Sequence, residues 1–351
     1  MVRLDTTTLL IDLSMVNYIN EMYFETIFRY DNVYDEKQDD FKRQLIKEQL
    51  ILKDDFKGGG LNMFTIDKST GKVKIDVSAK ILEGDYLEGI TINTIDRVIK
   101  KLQYRLMGLS FKNDNEVIDN CYVLKCDVTD NIYLSEALSN YIEAIQRYCV
   151  NNKYRIDTYN NYSLVATRNV KSYKERITLY DKIVEMQKKD KRLFQLLDAQ
   201  HRFKSLNLCR VESNHTSFER LRKVFGIEKD DCIERDGVRY IRLLDVLQSN
   251  EKVNYNIMKR VTNLKLPDTL TNDYNMKFHE IEKWLGRKKI IEDCNYDIDL
   301  IQLFIKKYVK GNVNQYVRQY KALINKMKQD EVKQNKSDSR YVDELLQLLA
   351  G

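Results

Sequence analysis

The chain of 351 residues contains a single proline, Pro267, where average usage would give roughly 18. Lys, Asn, Ile, Asp and Tyr are abundant, so this bias fits a drift toward AT-rich codons and points to no function. Histidine is also scarce. His201, His215 and His279 are the only three, and no two are spaced i, i+2 or i+4. This spacing excludes a zincin and other paired-histidine metal motifs. The six cysteines (Cys121, Cys126, Cys149, Cys209, Cys232, Cys294) form no CxxC pair. A zinc ribbon or redox motif is thereby excluded, and free thiols are expected. No run approaches 18 uninterrupted apolar residues, so no membrane span is expected. The start shows no basic stretch followed by an apolar run, so no secretory signal is expected. Lys57-Gly58-Gly59-Gly60 lacks the GK[ST] of a P-loop, and no GxSxG or Cys-His pattern stands out.

Hydrophobic residues make up 43% and charged residues 32% of the chain. That is enough apolar surface for a sizeable core, and it excludes disorder throughout. The length suits two domains. The formal charge of +6, from 59 Lys and Arg against 53 Asp and Glu, is unevenly placed. Residues 151–224 hold 17 basic against 8 acidic side chains, and residues 301–351 hold 10 against 5. These excesses of +9 and +5 leave −8 for the remainder. Local basic patches on a near-neutral chain suit nucleic-acid binding. Lys-rich helices that only confer solubility would give the same pattern.

Hydropathy patterning predicts a strand over residues 2–14 and mixed helical and charged character over 15–56. The three glycines form a flexible loop. A hairpin over 61–66 and 72–77 turns at 68–71. Apolar spacing predicts a helix from Asn93 or Thr94, with Ile95, Val98, Ile99, Leu102 and Leu106 on one face. A strand over 121–128 precedes a helix over 134–149 with Leu138, Tyr141, Ile142, Ile145 and Tyr148 on one face. Strands at 162–166 and 175–180, a Lys-rich helix at 183–199 and a strand at 205–211 follow. Thr216-Ser217-Phe218-Glu219 is a capping box, and its helix stops at Gly226. The fold class read from this order is α+β, with an antiparallel sheet in residues 1–225. Residues 226–265 form a connecting segment with short strands around Asp236-Gly237. Residues 266–351 are mainly helical, with Val313, Val317, Tyr320, Ile324 and Met327 as one stripe. A polar, mobile stretch over 328–339 leads to a docking helix at 341–349.

Alternation places polar groups on one strand face, because residues i and i+2 share a side. Asp127 and Thr129 point together. Arg176, Thr178, Tyr180 and Lys182 share a face, as do Arg210 and Glu212. Asp127 and Glu212 are hard oxygen ligands suited to Mg²⁺ or Mn²⁺, which could polarise a phosphodiester. Tyr180 could attack phosphorus, although a phenol with a reference pKa of about 10 needs help at neutral pH. Lys182 could supply that help by stabilising developing negative charge. A strand tyrosine that only packs is the plain alternative.

Four segments in order extend this reading. They are Val77-Ser78-Ala79-Lys80-Ile81-Leu82-Glu83-Gly84, Leu124-Lys125-Cys126-Asp127-Val128-Thr129, Leu179-Tyr180-Asp181-Lys182, and Arg210-Val211-Glu212 followed by residues 221–227. Together they resemble motifs of the gene II/X type of phage and plasmid replication protein, the rolling-circle initiators of filamentous phages. The likeness covers about residues 1–230. Cys126 and Lys125 depart from an apolar residue and an arginine in the family pattern. The resemblance implies an antiparallel-sheet replication-initiator domain and a metal-dependent endonuclease and strand transferase. It would nick one strand of a double-stranded origin, hold the 5′-phosphate on tyrosine, and later rejoin the displaced strand. Tyr180 is then the nucleophile, Lys182 its helper, and Asp127 and Glu212 the metal ligands. Arg168, Lys171, Lys174, Arg176 and Arg210 would contact DNA. A related plasmid initiator family has its nucleophile on the preceding strand, which makes Tyr162 the rival and Tyr173 a lesser one. Implied partners are origin DNA, the displaced single strand and a separate helicase, in a bacterial cytoplasm and away from membranes. The competing readings are a sequence-specific DNA-binding regulator of the same fold without nicking activity, and a structural or interaction protein.

Overall fold

A computed structural model describes residues 1–35, 40–106, 109–148, 153–160, 162–170, 173–201, 207–262, 278–308, 313–334 and 340–351. The fold is α+β with a large antiparallel sheet. Its strands are β1 (Leu4–Asp12), β3 (Phe24–Asp35), β4 (Asp40–Leu52), β5 (Leu61–Asp67), β6 (Lys72–Ser78), β8 (Tyr122–Tyr133), β9 (Arg155–Tyr159), β10 (Ser163–Val170), β11 (Tyr173–Asp181) and β12 (Leu208–His215). They run in the order β3-β4-β5-β6-β1-β8-β12-β11-β10-β9. β2 (Val16–Tyr18) pairs apart with β7 (Ser110–Phe111). The chain divides into two compact units. The first comprises residues 1–138, 153–258 and 348–351, and the second comprises 139–152 and 259–347.

Residues 15–56, expected to be partly helical, are instead largely strand. Lys, Glu and Gln at 42–49 are good helix formers, yet they pair with β3 along a ladder that runs from Phe24 opposite Leu52 to Asp35 opposite Asp40. Leu50 and Leu52 in that ladder are buried. The triple glycine is a built turn: Gly58 and Leu61 bond each other, and Gly60 sits at φ +99. A Cβ on Gly60 would lie 2.2 Å from the Ile81 backbone nitrogen, so only glycine admits this approach. The predicted hairpin forms as β5 and β6. Helix α1 (Ile95–Arg105) buries Ile95, Val98, Ile99 and Leu102, as its spacing requires.

The expected Lys-rich helix is two helices, α4 (Lys182–Lys189) and α5 (Lys191–His201), after the short α2 (Asp114–Asp119) and α3 (Leu138–Tyr148). Asp190 breaks it by accepting a hydrogen bond from the Leu193 amide, 3.1 Å away, which is an N-cap geometry. Ser217 caps α6 (Phe218–Val224), and Gly226 follows at φ +65. Residues 226–258 belong to the first unit rather than forming a separate connector. The hairpin of β13 (Ile233–Arg235) and β14 (Val238–Arg242) joins the sheet through Ile241 and Val123 on β8. After α7 (Leu243–Gln248), α8 (Val253–Thr262) brings in Asn254. Its amide donates to Asp130 at 2.9 Å and to the carbonyls of Val128 and Val211.

The second unit is helical. It contains α3, which the sequence reading places with the sheet, and Tyr141 of α3 meets Tyr341 at 5.0 Å between ring centroids. Helices α9 (Phe278–Asp293), α10 (Ile298–Tyr308) and α11 (Val313–Gln334) enclose Ile291, Ile301, Ile305, Tyr320 and Ile324. Val313 and Val317 pack against that cluster as expected. The side chain of Met327, residues 335–339, Pro267 and Cys149 lie outside the described residues. Residues 328–334 continue α11, and the tail forms α12 (Arg340–Ala350). Among the described residues, no helix is long and apolar enough to cross a membrane.

Candidate functional site

Four central strands set the site. Their register puts Arg176, Thr178 and Tyr180 of β11 on the same face as Arg210, Glu212 and Asn214 of β12 and Asp127, Thr129 and Asn131 of β8. The intervening residues Ile177, Leu179, Cys209, Val211, Cys126 and Val128 turn to the opposite face and are buried. A register shift between Leu4 and Thr6 marks a bulge in β1. Bulges re-aim side chains, and here the bulge delivers Asp5 to the polar face, where it meets Arg210.

Asp5, Arg176, Thr178 and Asn214 help to line a cleft of about 970 Å³. Asp127, Tyr180, Lys182 and Glu212, the expected chemical groups, all face it, as does the rival Tyr162. The Tyr180 hydroxyl donates to Glu212 Oε1 at 2.5 Å. Burial and the neighbouring carboxylate hold this phenol well above its ordinary range. Burial and Asp5 raise the proton affinity of Glu212 as well. Asp127 accepts from Asn214 Nδ2, and burial lifts its carboxyl above the usual range despite that bond.

Arg210 does not face the cleft as a phosphate contact. Its side chain is 1% exposed and fully engaged beneath the site. Nε donates to Asn131 at 2.8 Å, and Nη1 donates to Asp5 at 2.6 Å and to the Tyr86 hydroxyl at 2.5 Å. Glu212 Oε1 lies 3.6 Å from the same nitrogen. A buried guanidinium with these partners fixes the carboxylates instead of reaching solvent. The strand period gave its face correctly but not its depth.

Lys182 is also displaced from its expected place. Asp181 accepts from the Val184 amide at 2.9 Å, caps α4, and makes Lys182 the first helical residue rather than a strand residue. Its ammonium is buried, pairs with Glu185 at 2.7 Å, and lies 5.4 Å from the centroid of the Tyr180 ring. Burial and the nearby Arg210 lower its pKa to about 8.

Lys174 and Arg176 stand exposed along the cleft, joined by Lys188 and Lys189 from α4. Lys80, from the 3-10 segment Ala79–Glu88, pairs with Asp190 at 3.0 Å and also lines it. Arg168 does not belong to this set. It stands opposite Glu175 in the β10–β11 ladder, on the other sheet face, and its guanidinium lies over the Tyr154 ring. Tyr173 lies on that face too, against Arg220. Lys171 lies outside the described residues. Tyr162 sits in the β9–β10 turn at the rim. Asn160 and Lys188 lower its phenol below the ordinary value, with Lys188 Nζ 4.2 Å from the ring centroid.

The sequence reading missed Asp5, Tyr86, Glu185 and Asn214. Asn214 was accessible to it, since it is two residues beyond Glu212 on one strand. Asp5 was not, because a bulge leaves no period to follow. Asp127 and Glu212 offer hard oxygens to one cleft. Among the described residues, no three His, Cys, Asp or Glu side chains form a cage for an ion. Mg²⁺ commonly takes only one or two protein carboxylates with water and substrate phosphate. Asp127 and Glu212 are the carboxylates that would supply those two ligands, with Lys182 lining the same cleft and Arg210 beneath it. No protein-family model and no curated protein matches the chain.

Proposed function

We propose that this chain is a DNA nicking and rejoining enzyme of the rolling-circle initiator kind, acting through Tyr180. The observation that carries the reading is the Tyr180 hydroxyl bonded to Glu212 at 2.5 Å inside a cleft edged by Lys174, Arg176, Lys188 and Lys189. A nucleophile in hydrogen-bond reach of a base is the arrangement that covalent catalysis needs.

The chemistry follows from the residues. A strand backbone lies along the basic edge, where Lys174 and Arg176 hold phosphates without reading bases. The phenol is too weakly acidic to ionise beforehand, so its proton passes to Glu212 as the oxygen attacks. The Tyr180 oxygen–phosphorus bond forms and the bond to the 3′-oxygen breaks. The 3′-oxygen leaves as a hydroxyl after taking a proton from solvent. Lys182, 5.4 Å from the Tyr180 ring centroid, places positive charge near the developing negative charge. Arg210, itself held by Asp5 and Tyr86, holds Glu212 in position. A divalent ion held by Asp127 and Glu212 would polarise the phosphodiester. Rejoining is the reverse attack by a 3′-hydroxyl on the phosphotyrosine. In this reading the partners are double-stranded origin DNA, the displaced strand and a separate helicase in a bacterial cytoplasm.

A second assignment of the nucleophile has its own support. Tyr162 borders the same cleft, is more accessible, and has the lowered phenol. Incubation with a supercoiled plasmid carrying the DNA around the protein's own gene, with Mg²⁺ or Mn²⁺, tests the function. The expected result is a nicked circle and an SDS-stable protein–DNA adduct. Salt-sensitive binding without a nick under either metal would instead favour a DNA-binding regulator of the same fold.

A further inference from the structure

Helix α10 has apolar residues on two sides. Ile301 and Ile305 enter the core of the helical unit. On the outer side Leu300 is 48%, Leu303 62%, Phe304 37% and Tyr308 63% exposed. The Phe304 and Tyr308 rings meet at 5.0 Å. Spacings of three and four residues make these a continuous stripe along the helix. A surface helix in water ordinarily carries polar residues on its outer side, so this stripe calls for a cover.

The charges along α10 indicate what covers it. Asp299 lies in the first turn, and Lys306 and Lys307 lie in the last. All three are exposed. When a second α10 is laid antiparallel with Leu303 against Leu303, Asp299 of each helix falls opposite Lys306 and Lys307 of the other. The same turn of chain is then acidic against basic at both ends, and the two helix dipoles oppose each other favourably. A two-fold contact has to be self-complementary in this way, whereas a parallel arrangement would put like charges together.

We propose that α10 is the surface through which two copies of this chain associate, independently of the chemistry proposed above. An eleven-residue helix is about 16 Å long, so one crossing gives a small interface and a reversible dimer in the micromolar range.

Sedimentation velocity of the full chain from about 1 to 100 µM tests this. The expected result is a concentration-dependent shift from monomer to dimer. Leu303→Glu should weaken the dimer by about 30-fold or more, as loss of a central apolar anchor does. The pair Lys306→Glu and Lys307→Glu should abolish the dimer, and adding Asp299→Lys in the same chain should restore it. Leu303→Cys should cross-link copies on oxidation. Leu303 projects outward, so unchanged circular dichroism is expected for every variant. A wild-type chain that stays monomeric at 100 µM overturns the proposal. So does a dimer indifferent to Leu303→Glu or to the charge reversal.

Discussion

At the residue scale, the site joins a buried tyrosine, its phenol held above the ordinary range, to the carboxylate that accepts its hydrogen bond. Burial and Glu212 hold Tyr180 above its normal range, so in the proposed reaction proton transfer has to accompany attack. In the same proposal Lys182 supplies the local charge, and its pKa of about 8 sets a working limit. It is a cation below that value and neutral above it. The rate of adduct formation should therefore fall as pH rises through about 8. Lys182→Arg stays charged throughout, so its profile should lose that decline, while Lys182→Met should be slower by roughly 10²-fold at neutral pH. Single-turnover rates between pH 6 and 10 check both. Asp127, Tyr180 and Glu212 were legible in the sequence because a period of two needs only correct strands. Lys182 was legible as a neighbour but not as a helical residue, since the cap made by Asp181 is a local decision of the backbone. Arg210 shows what alternation leaves out: a side is not a depth.

At the element scale, the backbone turns are as specific as the side chains. Gly60 passes Ile81 at a distance that no Cβ tolerates, with φ in the left-handed region. Gly71 also has positive φ, +63, but open space around it. Gly60→Ala should cost about 2–4 kcal/mol and Gly71→Ala about 1 kcal/mol. Urea unfolding of the two variants measures the difference. The 3-10 segment that Gly60 presses against carries Lys80 and Tyr86 into the cleft, so Gly60→Ala should also disturb the site. The hairpin of β5 and β6 and the stripe on α1 were read correctly from alternation and 3.6-residue spacing. The strands of residues 24–52 were not, because their polar half is written in residues that favour helices and pairing partners are not visible in a single segment.

At the scale of the whole molecule, a net +6 becomes a distribution. The basic excess over 151–224 splits between two sheet faces: Lys174 and Arg176 line the cleft, while Arg168 lies behind it. Single-stranded DNA binding should lose affinity with salt in proportion to the phosphates contacted. The double variant Lys174→Ala and Arg176→Ala should reduce the slope of log K against log salt by about 1.4. Arg168→Ala should leave the slope unchanged, which fluorescence anisotropy between about 50 and 300 mM salt would show. Local charge was legible as a sum, but its division between faces required the register. The grouping of α3 with the C-terminal helices was not legible, since no boundary residue marks the exchange.

The central claim is that Tyr180 forms the bond to DNA. The direct measurement is to trap the SDS-stable adduct, digest it, and locate the phosphotyrosine peptide by mass spectrometry, alongside Tyr180→Phe and Tyr162→Phe. The account predicts the DNA phosphate on the peptide containing Tyr180, no adduct from Tyr180→Phe with DNA binding retained, and a persistent adduct from Tyr162→Phe. A phosphate on Tyr162, or an adduct that survives Tyr180→Phe, would contradict it.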